Sequence, residues 1–318
     1  MTPTLHIIAS CTDRKRRRVP AELHLGNVKA ADIGARARAW WQLLLSQHQE
    51  TVQAADLYAG AHWRAVLELP GVARANGFRP RLWIASAGYG LIPEDASIQP
   101  YSATFARGNA DSVVTNATER DTAEQLQTWW KTLSEVKEPS KGQPRSIKSL
   151  AKMEPGANIL IIASPGYVAA LEEDLVGAAR QIERPESILI VSTPGSRSRG
   201  ELAPHWIPSS AHHQTRLGGS KLSLHARVAR ELIEGTRRGR LDANVAQQEY
   251  ERHIESTSPP VIPNREPMSD AEVTIFVRRA VMEGTKSWSA ALRLLRSEGR
   301  ACEQSRFKRL FLRTQGGS

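Results

Sequence analysis

Cysteine is almost missing: Cys11 and Cys302 are the two among 318 residues. That excludes a disulfide framework as the source of stability and leaves no cysteine pair for a structural zinc site. Long hydrophobic runs are missing too, and none reaches the 18 or so residues a membrane-crossing helix needs. The opening Met1-Thr2-Pro3-Thr4-Leu5-His6 lacks the basic start and apolar stretch of a secretory leader. The phosphate-cradling Gly-x-x-x-x-Gly-Lys-Ser/Thr, the dinucleotide Gly-x-Gly-x-x-Gly and the Gly-x-Ser-x-Gly elbow are all absent after any predicted strand. The expectation is a cytoplasmic protein with no membrane partner and no bound cofactor. His205, His212, His213 and His225 cluster in sequence, but without cysteines to complete a set no metal site is expected.

What is present suits a globular chain. Hydrophobic residues make up 40% and charged residues 24%, and 43 lysines and arginines against 33 acids leave a net charge of +10. A surplus of that sign favours a polyanionic partner, with nucleic acid ahead of membrane.

Four short apolar runs share one design: Leu5 to Ala9, Leu82 to Ala85, Ile159 to Ala163 and Ile188 to Val191. Each is continuous rather than alternating, as in strands buried on both faces of a parallel sheet. Helical spacing lies between them, over 34–48, 118–136, 166–181 and 221–236. Thr118-Glu119-Arg120-Asp121 has the form of a capping box. Strand-helix alternation predicts an α/β, doubly wound, mostly parallel sheet over residues 1–254. Residues 137–158, with three prolines, two glycines and several lysines, read as a long basic loop. Residues 255–268, with Pro259, Pro260, Pro263 and Pro267, read as a linker.

Residues 269–318 read as a small separate unit. Ser269 is placed to cap a first helix and Gly284 to end it; a second helix starts near Ser287 and ends at Gly299, and a third follows. Three short helices of this kind resemble a helix-turn-helix module. This segment holds ten basic and five acidic residues. Arg300, Arg306, Lys308, Arg309 and Arg313 fall in or beside the third helix, off its apolar face, where they can meet phosphates. Gln304 can reach a base edge.

The candidate chemistry gathers where the strands end. The runs finish in Ala9-Ser10-Cys11-Thr12, Ala85-Ser86-Ala87-Gly88, Ala163-Ser164-Pro165-Gly166 and Val191-Ser192-Thr193. Ligands of open α/β sheets bind beyond the carboxyl ends of the strands, so Ser10, Thr12, Ser86, Ser164 and Ser192 are candidate ligand contacts. Gly88 and Gly90 allow a tight turn that leaves Tyr89 and Tyr101 to stack on a base. Gly218, Gly219 and Ser220 precede a helix and offer amides to an anion. In Cys11-Thr12-Asp13-Arg14-Lys15, Cys11 is a candidate nucleophile, Asp13 a general base and Lys15 a stabiliser of negative charge.

Ser10-Cys11-Thr12-x-x-Lys15, Asp56-Leu57-Tyr58, the turn from Ser86 to Pro93, and Pro100-Tyr101 resemble, in that order, the motifs of a bacterial domain family of unknown function. Its members are sometimes labelled relatives of the peroxide stress protein. The resemblance covers about residues 5–105. It implies an α/β domain with these motifs at one pocket, and genes linked to mobile elements and phage defence. It implies no reaction, and neither the 137–158 stretch nor the C-terminal unit belongs to the pattern. Together the readings point to a nucleic-acid-associated protein with a pocket for a nucleotide or nucleobase and a C-terminal DNA-binding module. Two alternatives stand beside it, a non-enzymatic DNA-binding or scaffolding subunit of a larger protein complex and a nucleotide-sensing regulator.

Overall fold

The computed structural model describes residues 2–47, 50–115, 118–136, 142–195, 200–236, 239–256 and 264–316. The chain divides into two units, Met1–Pro259 and Pro260–Ser318, each with its own apolar core.

In chain order the first unit contains β1 (Thr4–Ser10), α1 (Ile33–Ser46), β2 (Val52–Gln53), α2 (Ala54–Leu57), α3 (Ala61–Ala75), β3 (Arg79–Ser86), β4 (Gly90–Pro93) and β5 (Ser97–Ile98). There follow α4 (Glu119–Glu135), α5 (Ile147–Met153), β6 (Asn158–Ile162), α6 (Pro165–Ala179), β7 (Ile188–Ser192), β8 (Trp206–Pro208), α7 (Ala211–Leu217), α8 (Leu224–Glu234) and α9 (Ala243–Ser256). Six strands form one sheet in the order β4-β3-β1-β6-β7-β8. Only β4 is antiparallel, folding back on β3; the others are parallel. The expected α/β class and mostly parallel sheet are present.

β1, β6 and β7 are buried at every position, which is why their sequences are unbroken Ile, Leu, Val and Ala. Helices α3 and α8 pack together over the sheet, and α1, α4, α5 and α6 form a second layer. Numbered among themselves, the five parallel strands run 2-1-3-4-5, so the order reverses between β1 and β6. A sheet of that order has its crevice outside the carboxyl ends of those two strands.

Three elements depart from the sequence reading. Helix α3 is not expected from it, because Pro70-Gly71 in its middle reads as a break. Its inward face of Trp63, Val66, Leu69 and Ala73 keeps the helix continuous although Pro70 has no N–H to give. The supposed loop 137–158 contains α5. Ser146 caps it through the amide of Ser149, and Ile147, Leu150 and Ala151 are buried; residues 137–141 of that stretch lie outside the described ones. The 255–268 linker is shorter than its prolines suggest. Residues 255 and 256 still belong to α9, and 266–267 form a strand; 257–263 lie outside the described residues.

The second unit has β9 (Glu266–Pro267), α10 (Asp270–Met282), α11 (Trp288–Ser297), β10 (Arg300–Ala301) and α12 (Gln304–Gly316). Ser269 caps α10 as expected, and Ser287, near which the second helix is expected to start, caps α11. Phe276, Val277, Leu292, Leu295, Phe307 and Phe311 fill the space between the three helices. The α11–α12 connection spans 298–303, and within it β10 pairs in parallel with β9. No described helix is long and apolar enough to cross a membrane.

Candidate functional site

Past Ser10 the chain stays tied to the sheet through the Cys11 amide, which donates to the Ala85 carbonyl (3.0 Å). Residues 14–16 then run alongside 57–59: the Arg16 amide donates to Leu57 and the Ala59 amide to Arg14. This pairing sets Lys15 opposite Tyr58. Thr12 reaches the Ala59 carbonyl with its hydroxyl (2.9 Å), and Lys15 Nζ donates to the Thr12 carbonyl (3.0 Å). The same ammonium lies 4.9 Å from the centroid of the Tyr101 ring and 5.7 Å from that of Tyr58, close enough for cation–π attraction.

From the neighbouring strand comes the Ser86–Gly90 turn. Two buried indoles hold it from the helices: Trp129 donates to the Ala87 carbonyl (2.8 Å) and Trp40 to that of Gly88 (2.9 Å). A Cβ on Gly88 would stand 2.4 Å from the Tyr101 ring, so only glycine lets that ring in. Gly90 has φ +74°, the left-handed region glycine favours.

Ser86 Oγ accepts from two amides, those of Gly88 (3.2 Å) and Tyr89 (2.9 Å). Its two lone pairs are then engaged, so its own O–H donates to Tyr101 Oη (2.6 Å). The Tyr58 hydroxyl meets Tyr101 Oη as well (3.0 Å), and Tyr101 donates onward to Cys11 Sγ (3.6 Å). Tyr167, in the first turn of α6, has its hydroxyl 2.9 Å from the same sulfur. Burial first, and then the neighbouring Cys11, hold the hydroxyls of Tyr58, Tyr101 and Tyr167 above the usual phenol range. They remain protonated donors, and the chain of O–H groups runs from Ser86 toward the sulfur. Cys11, Lys15, Ser86, Gly88 and Tyr101 are thus brought together at the carboxyl ends of β1 and β3, with Thr12 beside them and Tyr167 reaching in from the β6 side.

Stacking faces are not left open at this point. Tyr101 is fully buried and Tyr89 is 7% exposed; each packs edge-to-face on the other (5.1 Å), and Trp40 and Trp41 take further sides. The Tyr89 hydroxyl is fixed to the backbone of Gln99. Both rings serve the wall of the site rather than an open stacking surface.

The other rim candidates are spread more widely. Asp13 is exposed. Ser164 is exposed at the start of α6, whose first turn has no side-chain cap. Ser192 is fully buried with its hydroxyl unpartnered. The Ser10 carbonyl lies against His62, whose imidazole burial, and then the nearby His225, push down to about 4. Gly218, Gly219 and Ser220 form the turn before α8, but Arg227 already fills it, donating to the carbonyls of Leu217 and Ser220, and Ser220 Oγ caps Leu222. Tyr58 enters the sequence reading only within the Asp56-Leu57-Tyr58 motif of the resemblance, without a role of its own, and Tyr167 does not enter it. Both need a contact across the fold; the faint signal is Tyr167 two places after Ser164-Pro165 at a strand-to-helix turn.

The second candidate surface is α12. Phe307, Leu310 and Phe311 face the core, while Gln304, Lys308, Arg309 and Arg313 are exposed. Arg300 and Arg306 form surface ion pairs with Glu266 and Asp270. Lys308 Nζ lies 5.6 Å from the Trp288 ring centroid. Comparison with protein-family models, with curated proteins and with solved structures gave no match.

Proposed function

We propose that the protein is nucleic-acid-associated. Its C-terminal unit binds duplex DNA in the manner of a helix-turn-helix module, and its α/β unit takes a nucleotide or nucleobase at the β1–β6 crevice. The observation that carries this reading is the row of Gln304, Lys308, Arg309 and Arg313 along the solvent side of α12. It lies on the last helix of a three-helix unit whose other basic side chains are partly spent on internal ion pairs. Lysine and arginine at that spacing meet phosphates, and a glutamine at the helix start suits an adenine edge. The enzymatic form of the reading gives Asp13 the general base and Lys15 the stabilisation of negative charge. A role in phage defence agrees with the family resembled by residues 5–105.

Fluorescence anisotropy of labelled duplex DNA across a salt series tests it. The full chain should bind with a steep salt slope. The triple variant Lys308→Glu, Arg309→Glu, Arg313→Glu should weaken binding and lower the slope by roughly 0.9 for each phosphate that is no longer neutralised. Equal affinity and slope for both proteins would overturn the reading.

A further inference from the structure

The loop that follows β1 carries Arg14, Lys15, Arg16, Arg17 and Arg18 in succession, and over 13–22 these five basic residues stand against two acids, Asp13 and Glu22. The backbone of the run is held. Lys15 pairs antiparallel with Tyr58, the Arg16 amide donates to the Leu57 carbonyl (2.8 Å) and the Ala59 amide to that of Arg14 (2.9 Å). An extended segment sends successive side chains to opposite sides. Lys15 turns inward, its ammonium over the rings of Tyr58 and Tyr101. Arg14 and Arg16 on either side of it are exposed, and Arg17 and Arg18 continue the exposed row.

The fold does not neutralise this row. Arg79, Arg81, Arg180, Arg184, Arg216 and Arg230 each meet a glutamate, whereas among the described residues Arg14, Arg16, Arg17 and Arg18 form no ion pair. Four like charges side by side repel one another, and a polyanion relieves the repulsion. The planar guanidinium meets phosphate oxygens two at a time. Arg14 and Arg16, two places apart on an extended segment, are separated by about 7 Å along the chain. That spacing suits successive phosphates of a strand better than the single phosphate of a nucleotide.

The place of the row narrows the form of nucleic acid. It lies on the loop whose Thr12 and Lys15 stand beside Cys11 and Tyr101 in the crevice. A base enters a protein crevice only once it has left the helical stack, which is costly in a duplex and far less so in a single strand.

We infer that Arg14, Arg16, Arg17 and Arg18 clamp the sugar-phosphate backbone of a single-stranded nucleic acid, so that the crevice takes its base from a strand rather than as a free nucleotide. The inference rests on the crevice reading given above and is independent of α12.

Fluorescence anisotropy tests it on the full chain carrying Lys308→Glu, Arg309→Glu and Arg313→Glu, so that α12 gives no background. The probe is a short labelled single strand of mixed sequence, as DNA and as RNA, beside a hairpin duplex of the same sequence. The strand should bind, more tightly than the duplex, and free nucleoside 5′-monophosphates should displace it only weakly. Adding Arg16→Glu, Arg17→Glu and Arg18→Glu should weaken strand binding by about tenfold or more and lower the salt slope by roughly 0.7 for each phosphate released. Glutamine at the same three positions should act in the same direction, and melting curves check that both sets fold. Lys131→Glu, Arg240→Glu and Arg278→Glu, exposed elsewhere, change the net charge equally and should cost far less affinity. Equal losses from the two glutamate sets, no strand binding, tighter binding of the duplex, or ready displacement by a monophosphate would overturn the clamp. A strand with every base replaced by an abasic site separates the two readings. Should it bind as tightly as the parent strand and be lost with the same arginines, the clamp stands and the crevice reading fails.

Discussion

Tyr101 joins more of the crevice than any other side chain. Its hydroxyl receives Ser86 and Tyr58 and reaches Cys11, and its ring supports Lys15 and excludes a side chain at position 88. Tyr101→Phe keeps the ring and deletes the junction, leaving the Ser86 and Tyr58 hydroxyls buried without an acceptor. The variant should lose about 1–3 kcal/mol of stability, measured by urea unfolding, with little change in Lys15 placement. A stability equal to the parent would show that water replaces the lost hydroxyl. Substituting Ser86 probes the other end, since its oxygen alone gathers the two turn amides.

At the scale of elements, α5 shows how a short helix is held. Its seven residues are too few to persist alone. Asp174 of α6 accepts from the amides of Ile147 (2.8 Å) and Lys148 (2.8 Å) and from the Trp130 indole (2.9 Å). One carboxylate thus pins α4, α5 and α6 together, at the α5 end where the helix dipole favours negative charge. Asp174→Ala should cost on the order of 3 kcal/mol, read as a drop in urea midpoint, and should loosen α5 first, read as faster amide exchange at 147–153. The same element explains what the sequence could convey. β1, β6 and β7 announce themselves because strands buried on both faces must be apolar throughout. α5 and α3 do not, since lysines, prolines and glycines around or within them mimic loops, and the partner of α3, α8, lies far along the chain. β8 has three residues and no pattern to read. In the crevice, Ser10, Cys11 and Ser86 are legible as strand ends. The hydroxyl chain is not, because Tyr58 and Tyr167 come to it from distant parts of the chain, Tyr167 from 156 positions beyond Cys11. In the second unit each cap and inward face is local in sequence, and the three helices follow from it.

For the whole molecule, three deeply placed imidazoles couple folding to pH. Burial brings His6, His62 and His213 down to about 4 each from 6.5. Glu154 opposes the shift at His6 while Arg81 and Arg79 reinforce it; His225 reinforces it at His62; Glu231 opposes and Arg216 reinforces it at His213. Below 6.5 the unfolded chain takes up protons that the folded chain refuses. Their contribution is therefore complete above that pH and drains away as pH falls toward 4. Urea midpoints should fall between about pH 7 and about pH 5, and replacing His62 by Gln should flatten part of that fall. A profile without slope would contradict the burial of these rings.

The sheet also ends abruptly on both sides. β4 has four residues and closes on Pro93, and β8 has three and closes on Pro208. An incoming strand would find only a few unpaired amides and carbonyls at either margin, next to a ring that cannot donate. A core this rich in isoleucine and leucine would otherwise be a ready template for fibre growth; cut short at both margins, it gives a second copy of the chain little backbone on which to extend.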